Sequence, residues 1–401
     1  MDGSRGVTPA QTAGKPSPML FVLLWLCGIQ LRMTILAVPP VLPTIHAELG
    51  LSATEVGILA SLPIALFALA ALPGALVISR LGAKSAIMFG LLVTALGSAL
   101  RGLSTDAIGL YATTMLMGLG VAVMQPTMSV LVRQWLPTRI GFATALYSNG
   151  LLFGEFLPVW VTVPFVLPLV GGSWRAELAV WSLPVVATAM LVALFAPGHG
   201  HATIAVAPPS RRWWPDWHTG LIWVLGLLFG SINGLYFATN FFLPDYLNSF
   251  GRGDLIPAAL TGLNFAQIPA SLLLLWLASR VERRAWPYYL MAAIDAVGVL
   301  GLAFSVGPLT PLWAAFIGFG TSGAMILGLT LPVLLSAPQD VGRTSAGMFT
   351  ISYSGGVVVA ISAGLAWDAT GIPGLVFVPI GLCTLTLAGA ALLLKWRKQL
   401  R

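Results

Sequence analysis

GIQLRMTILAVPP, residues 28–40, sets one arginine in a run that is otherwise almost wholly apolar. From Met19 to Ile45 the sole charged side chain is Arg32, about halfway along. A segment of about 20 apolar residues is long enough to cross a bilayer, which puts Arg32 near the middle of the hydrocarbon. An arginine at that depth costs roughly 2.5–3.5 kcal/mol on insertion scales. Something must offset that cost, and two roles would do so: binding an anion, or a fixed ion pair that sets helix packing.

The composition agrees with a membrane solvent. Of 401 residues, 57% are hydrophobic and only 8% charged, against about 25% charged in a soluble domain. The two cysteines, Cys27 and Cys383, both fall in apolar spans and suggest neither a disulfide framework nor a metal cluster. The four histidines lie near span ends or in loops. His199 and His201 sit in a polar connector, where an incidental pair is a simpler reading than a metal site. No cofactor motif is present, and no Walker A loop offers direct coupling to ATP.

Apolar runs bounded by charged or Pro/Gly-rich punctuation give twelve candidate spans: roughly 19–45, 54–78, 84–102, 106–132, 141–168, 174–196, 218–244, 254–278, 287–306, 309–336, 344–368 and 372–394, each end uncertain by about 2–4 residues. With a cytoplasmic amino terminus, sixteen of the 20 Lys and Arg residues fall on the inside. The outside then holds Arg101, Arg175 and Arg252, with Arg32 alone inside the membrane. This is the positive-inside pattern of a multi-pass protein with both termini cytoplasmic. It explains the net charge of +7 without nucleic acid, and the expected location is the cell (inner) membrane.

Residues 1–18 read as a disordered cytoplasmic tail, 19–196 as a first six-helix bundle, 197–217 as a cytoplasmic linker and 218–401 as a second bundle with a short basic tail. Internal repetition supports the division. WLCG at 25–28 answers WVLG at 223–226, Leu42-Pro43 answers Leu243-Pro244, and GLG at 118–120 answers GFG at 318–320. Arg139 and Arg343 occupy matching short loops. The fold class is therefore all-α: twelve transmembrane helices in two pseudo-symmetric six-helix bundles, an arrangement of parallel repeats used by transporters that hold their cargo near the midplane.

At this point the chain resembles the major facilitator superfamily. GALVISRLGAK (74–84) is similar to that superfamily's loop motif after the second helix, keeping Gly74, Arg80, Gly82 and Lys84, with Ser79 near the place of its usual acidic residue. LRMTILAVPPVLPTI (31–45), GVAVMQPTMSVLVRQWLPTRIGFATALYSNG (120–150) and WRAELAVWSLP (174–184) resemble the cyanate and nitroimidazole transporter branch. The resemblance implies alternating access, with Arg80, Lys84, Arg139 and Arg343 in gating loops. It also implies cavity-lining helices 1, 4, 7, 8 and 11, and peripheral helices 3, 6, 9 and 12.

The embedded polar residues are then the candidates for binding. Arg32 presents a fork of donors that matches a planar anion. Glu155, midway along the fifth span, could pair with Arg32 or exchange a proton, and a static salt bridge is the alternative. Asp295, the third embedded charge, lies on a helix the resemblance makes peripheral, so packing is its simpler role and proton coupling the other. Gln125, Tyr147, Asn233, Tyr236, Asn264, Gln267 and Tyr353 form stripes at helical spacing and are the candidate neutral contacts, although amides in a bilayer often bond only to neighbouring helices. Pro39 and Pro40 are expected to interrupt the first helix beyond Arg32, because proline removes backbone donors.

The reading is a secondary transporter for a small anionic or nitro-bearing solute, with protons as a possible second partner and a monomer as the expected state. A multidrug exporter of the same fold is the alternative; it would favour an embedded carboxylate over a central arginine. An intramembrane enzyme would need a catalytic constellation, and none can be read.

Overall fold

The computed structural model describes residues 17–69, 78, 80–197, 214–281, 284–337 and 340–396. Eleven of its helices are long and apolar enough to cross a membrane, and a twelfth, shorter apolar helix lies between the first and second of these. In chain order they are α1 (Pro18–Leu49), α2 (Ala53–Leu69), α3 (Ala83–Arg101), α4 (Ala107–Trp135), α5 (Phe142–Leu169) and α6 (Trp174–Phe195). The second set is α7 (Gly220–Ser249), α8 (Gly253–Leu274), α9 (Trp286–Phe304), α10 (Thr310–Leu335), α11 (Val341–Thr370) and α12 (Phe377–Trp396). Most of the 197–217 connector, the amino-terminal tail and Gly74 lie outside the described residues.

Local chemistry fixes many of the helix ends. The Ser17 hydroxyl accepts from the Met19 amide ahead of Pro18, and Asp106 and Ser173 cap α4 and α6 in the same way. Gly50 and Gly371 close α1 and α11 in the left-handed conformation, which glycine adopts without a side-chain penalty.

The packing repeats with a period of six helices. The pairs α1–α5, α2–α4, α3–α4 and α3–α6 of the first half recur as α7–α11, α8–α10, α9–α10 and α9–α12 of the second, and the halves meet through α2–α11 and α5–α8. Glycine permits the closest of these approaches. A Cβ on Gly28 would run into the carbonyl of Tyr147, one on Gly150 into that of Trp25, and one on Gly154 into that of Ile29.

The two ends of the molecule differ. We call the end that carries Pro18 and Trp396 the near end, and the other the far end. At the far end, His46 of α1 and Asp245 of α7 join at 2.7 Å. Asp368 of α11 accepts the amides of Ala53 (2.9 Å) and Thr54 (2.7 Å) and also the Thr54 hydroxyl, capping α2 from across the interface. One apolar core there runs unbroken from the first half into the second. Toward the near end the second half has a separate core of its own, and Ser148, Asn149 and Ser354 are exposed. The halves are closed together at the far end and apart at the near end.

Two expectations need correcting. Arg32 is not the sole embedded cation: Arg101, read as an outer-loop charge, is 0% exposed. Its side chain turns back into the bundle to reach the carbonyl of Thr34 at 2.9 Å. The interruption of α1 also begins before the prolines, at Arg32 itself, whose φ of −129° leaves the helix. The chain resumes as Met33–Leu36, passes a 3-10 turn at Pro39–Val41, and ends as Leu42–Leu49.

Replacing Gly154 by valine forces α1 and α5 apart. Overpacking of this kind costs about 1–3 kcal/mol, so the expected result is a clearly lower melting temperature in detergent, with Gly389→Ala, which meets open space, as the unaffected control.

Candidate functional site

The break in α1 places Arg32 where the two halves face each other. Its Nε donates to Glu155 Oε1 at 3.2 Å, and its Nη1 to the Leu31 carbonyl at 3.2 Å. That carbonyl is one the irregular backbone leaves outside the helical ladder. The second oxygen of Glu155 accepts from Gln267 Nε2 at 2.8 Å. Glu155 thus holds α1 of the first half with one oxygen and α8 of the second half with the other.

An aromatic and amide shell surrounds this pair. The guanidinium lies over Phe67 of α2, 5.1 Å from the ring centre, and 5.9 Å from the ring centre of Phe237 on α7; such contacts stabilise a desolvated cation. Tyr353 packs edge-on against Phe67 at 5.6 Å and lies close enough to feel the charge of Arg32. Tyr236 donates to Asn264 Oδ1 at 2.6 Å, and Asn264 donates in turn to Asn240 Oδ1 at 2.9 Å. Ser322 of α10 donates to the Gln267 carbonyl at 3.3 Å, fixing the α8 backbone at that point. Buried amides carry this network because each donor finds an acceptor.

The sequence candidates divide into three groups. Arg32, Glu155, Gln267, Tyr236, Asn264 and Tyr353 come together at the interface of the halves. Asn233, one turn from Tyr236, donates instead to Ser352 of α11 at 2.7 Å. Tyr147 interacts with Ser129 and Ser148 within the first half, and Gln125, half-buried on α4, has a side-chain oxygen without a partner among the described residues.

Asp295 stands apart. It is buried against Met291, Gly320 and Cys383, beside the Thr321 backbone and away from the central pair. Of the loop candidates, Arg80 and Arg139 are exposed, and Arg343 pairs with Asp340 at 2.8 Å. Lys84 donates to the carbonyls of Ala193 (3.3 Å) and Ala196 (2.6 Å) at the end of α6.

Several contributors escaped the sequence reading. Phe67 is indistinguishable from a core aromatic until the fold sets it beneath Arg32. Gln30, beside the break, donates to Thr188 of α6 at 2.9 Å. Glu177, not singled out in the sequence, is wholly buried within WRAELAVW.

Truncating Glu155 to alanine removes the carboxylate that Arg32 faces, and breaking a buried pair costs about 3–5 kcal/mol. Melting of the purified protein should therefore fall much further for Glu155→Ala than for Glu155→Gln, which keeps an oxygen acceptor. Equal melting of both variants and the wild type would mean that the pair does not form.

The comparisons with known proteins agree with this architecture. The family model described as Major Facilitator Superfamily matches residues 24–361. The chain is 28% identical to the cyanate transport protein CynX of Escherichia coli (strain K12), covering 87% of this chain and 88% of that one. It is 26% identical to the 2-nitroimidazole transporter of the same strain, with 84% of each chain covered. Among solved structures, the D-xylose-proton symporter superposes with a TM-score of 0.75 at 13% identity over 94% of this chain and 97% of that one, a likeness of fold alone. The chain belongs to the major facilitator superfamily, a family of multi-pass membrane transporters rather than enzymes.

Proposed function

We propose that this protein is a secondary transporter for a small anionic or nitro-bearing solute, bound at Arg32 between the two halves. The observation that carries this reading is the state of the guanidinium. It sits at the broken middle of α1, buried between the halves, with Glu155 on its Nε, the Leu31 carbonyl on its Nη1 and Tyr353 beside it. A cyanate, a short carboxylate or a nitro group would take charge-assisted bonds from that guanidinium in exchange for its present partners. Tyr236, Asn264 and Tyr353 lie around the same guanidinium, and the names of the two relatives, a cyanate transport protein and a 2-nitroimidazole transporter, support the chemical class.

Glu155 then gives the site a means of coupling. An anion arriving at Arg32 competes with the carboxylate for the same cation. A carboxylate that loses its cation in a dry interior is costly to keep charged, and taking up a proton removes that cost. Gln267, bonded to the other oxygen, carries the change to the second half, so cargo and proton together loosen a contact between α5 and α8. The positive-inside pattern supports placing the near end in the cytoplasm. On that orientation this conformation faces inward, both termini are cytoplasmic, and the membrane is the cell (inner) membrane.

Binding of cyanate, nitrate, short carboxylates and 2-nitroimidazole to purified protein tests the reading. Two charge-assisted bonds, at about 1.5–3 kcal/mol each, make the expected loss for Arg32→Ala about 100-fold or more. Folding of that variant is checked by its melting curve. Glu155→Gln should keep anion binding and exchange across proteoliposomes while losing accumulation driven by a proton gradient. Unchanged affinity in Arg32→Ala rejects the site. Binding of lipophilic cations with none of the anions would replace the reading with an exporter.

A further inference from the structure

Arg101, at the end of α3, is a second buried guanidinium that the central site does not use. Its Nη2 donates to the Thr34 carbonyl at 2.9 Å and to Ser98 Oγ at 3.0 Å. The first bond has a clear cause. The Val38 amide, which would serve Thr34 in a regular helix, bonds to Ile35 instead, because Pro39 brings no donor of its own. Arg101 supplies the missing one.

The rest of the guanidinium is unsatisfied. An arginine offers five N–H donors, yet Nε and Nη1 have no hydrogen-bond partner among the described residues. Glu177, the nearest acid, is close enough to interact by charge but not by a hydrogen bond. Its Oε1 is taken by Trp181 (2.7 Å) and Thr162 (3.1 Å), while its Oε2 is itself unpartnered. Leaving buried donors unpaired is costly.

Arg101 borders a narrow gap together with Thr114 and Met117 of α4, Leu59 of α2 and Ile35 of α1. Thr114 is 2% exposed, and its hydroxyl too has no partner among the described residues. The gap is nowhere wide enough for a water molecule, so hydration from that side does not satisfy these groups in this conformation. Phe241 is the one lining residue from the second half. It stands on α7, one turn before Asp245, in the part of the interface that closes the far end. When the halves part there, Phe241 withdraws with α7 and the gap opens.

We infer that Arg101 and Thr114 form a second anion-binding site, closed here by Phe241 and exposed when the far end opens. The ligand class is a small inorganic or carboxylate-type anion that takes bonds from Nε, Nη1 and the Thr114 hydroxyl. An anion coming from the far end meets Arg101 first and Arg32 next, since Arg101 is bonded to the chain two residues beyond Arg32. The order of these two stations rests on the anionic cargo proposed above; the site at Arg101 does not.

The test reads local charge, independently of the cargo. In full-length protein with Cys27→Ala and Cys383→Ala, Thr114→Cys is introduced, and the far end is released by His46→Ala with Asp368→Ala. Phe241→Cys in the same background serves as the control that reports the opening. Anionic and cationic methanethiosulfonate reagents are compared, each rate divided by its rate with a free thiol. The expected result is an anionic preference at position 114 of about 10-fold, of the size a focused charge produces in a low-dielectric cleft. Arg101→Gln should remove that preference, millimolar cyanate should slow the reaction, and Arg32→Ala should leave the preference in place.

Thr114→Val in the otherwise native protein supplies the structural check. Its hydroxyl has no partner to lose in this conformation, so melting should be unchanged or higher. A Thr114→Cys thiol that shows no anionic preference, or keeps it in Arg101→Gln, overturns the inference. A preference that persists in a protein whose central site binds no anion would sink the proposed cargo and leave this site standing.

Discussion

Glu155 divides its two oxygens between halves of the molecule: one to Arg32 of α1 at 3.2 Å, the other to Gln267 of α8 at 2.8 Å. Neither partner can be lost without leaving a buried charge or a buried donor short. In a low-dielectric interior that penalty is several kcal/mol. The surrounding structure can be understood as what makes this shared carboxylate tolerable. The break in α1 supplies a backbone carbonyl for the guanidinium, Phe67 and Phe237 shield its faces, and the Tyr236–Asn264–Asn240 chain satisfies the neighbouring polar groups.

The same break explains the second cation. A helix interrupted at Arg32 and turned through Pro39 and Pro40 leaves carbonyls without amide donors, and Arg101 reaches from α3 to bond one of them. A transport helix that bends must settle its freed backbone groups with side chains, since lipid offers none. Both buried arginines therefore serve the discontinuity in α1, and each retains donors beyond what that service requires.

Closure at one end is built from different chemistry than the centre. His46–Asp245 and the Asp368 cap on α2 are polar contacts at the rim. The close approaches of Gly57 to Ala360 and of Gly364 to Ala53 bring α2 and α11 together behind them. The apolar core shared by the two halves lies beneath this rim, so opening the far end must break the polar contacts and part that core together. The near end needs no such device in this conformation, because the two halves carry separate cores there.

Hydropathy, charge asymmetry and the internal repeat determined the twelve spans, their division into two sixes and the place of Arg32, because bilayer thickness and charge exclusion act on linear stretches of chain. Gln267, Tyr236, Asn264 and Tyr353 could be singled out as polar residues at helical spacing. Their meeting at Glu155, and the departure of Tyr147 and Asp295 to other surroundings, could not, since spacing fixes a helix face but not the neighbour it meets. Arg101 and Glu177 were hidden for a related reason. Both lie near span ends, where sequence reads a charge as solvated; only the inward turn of a side chain, set by the tertiary packing of α1, α3 and α6, decides that it is buried.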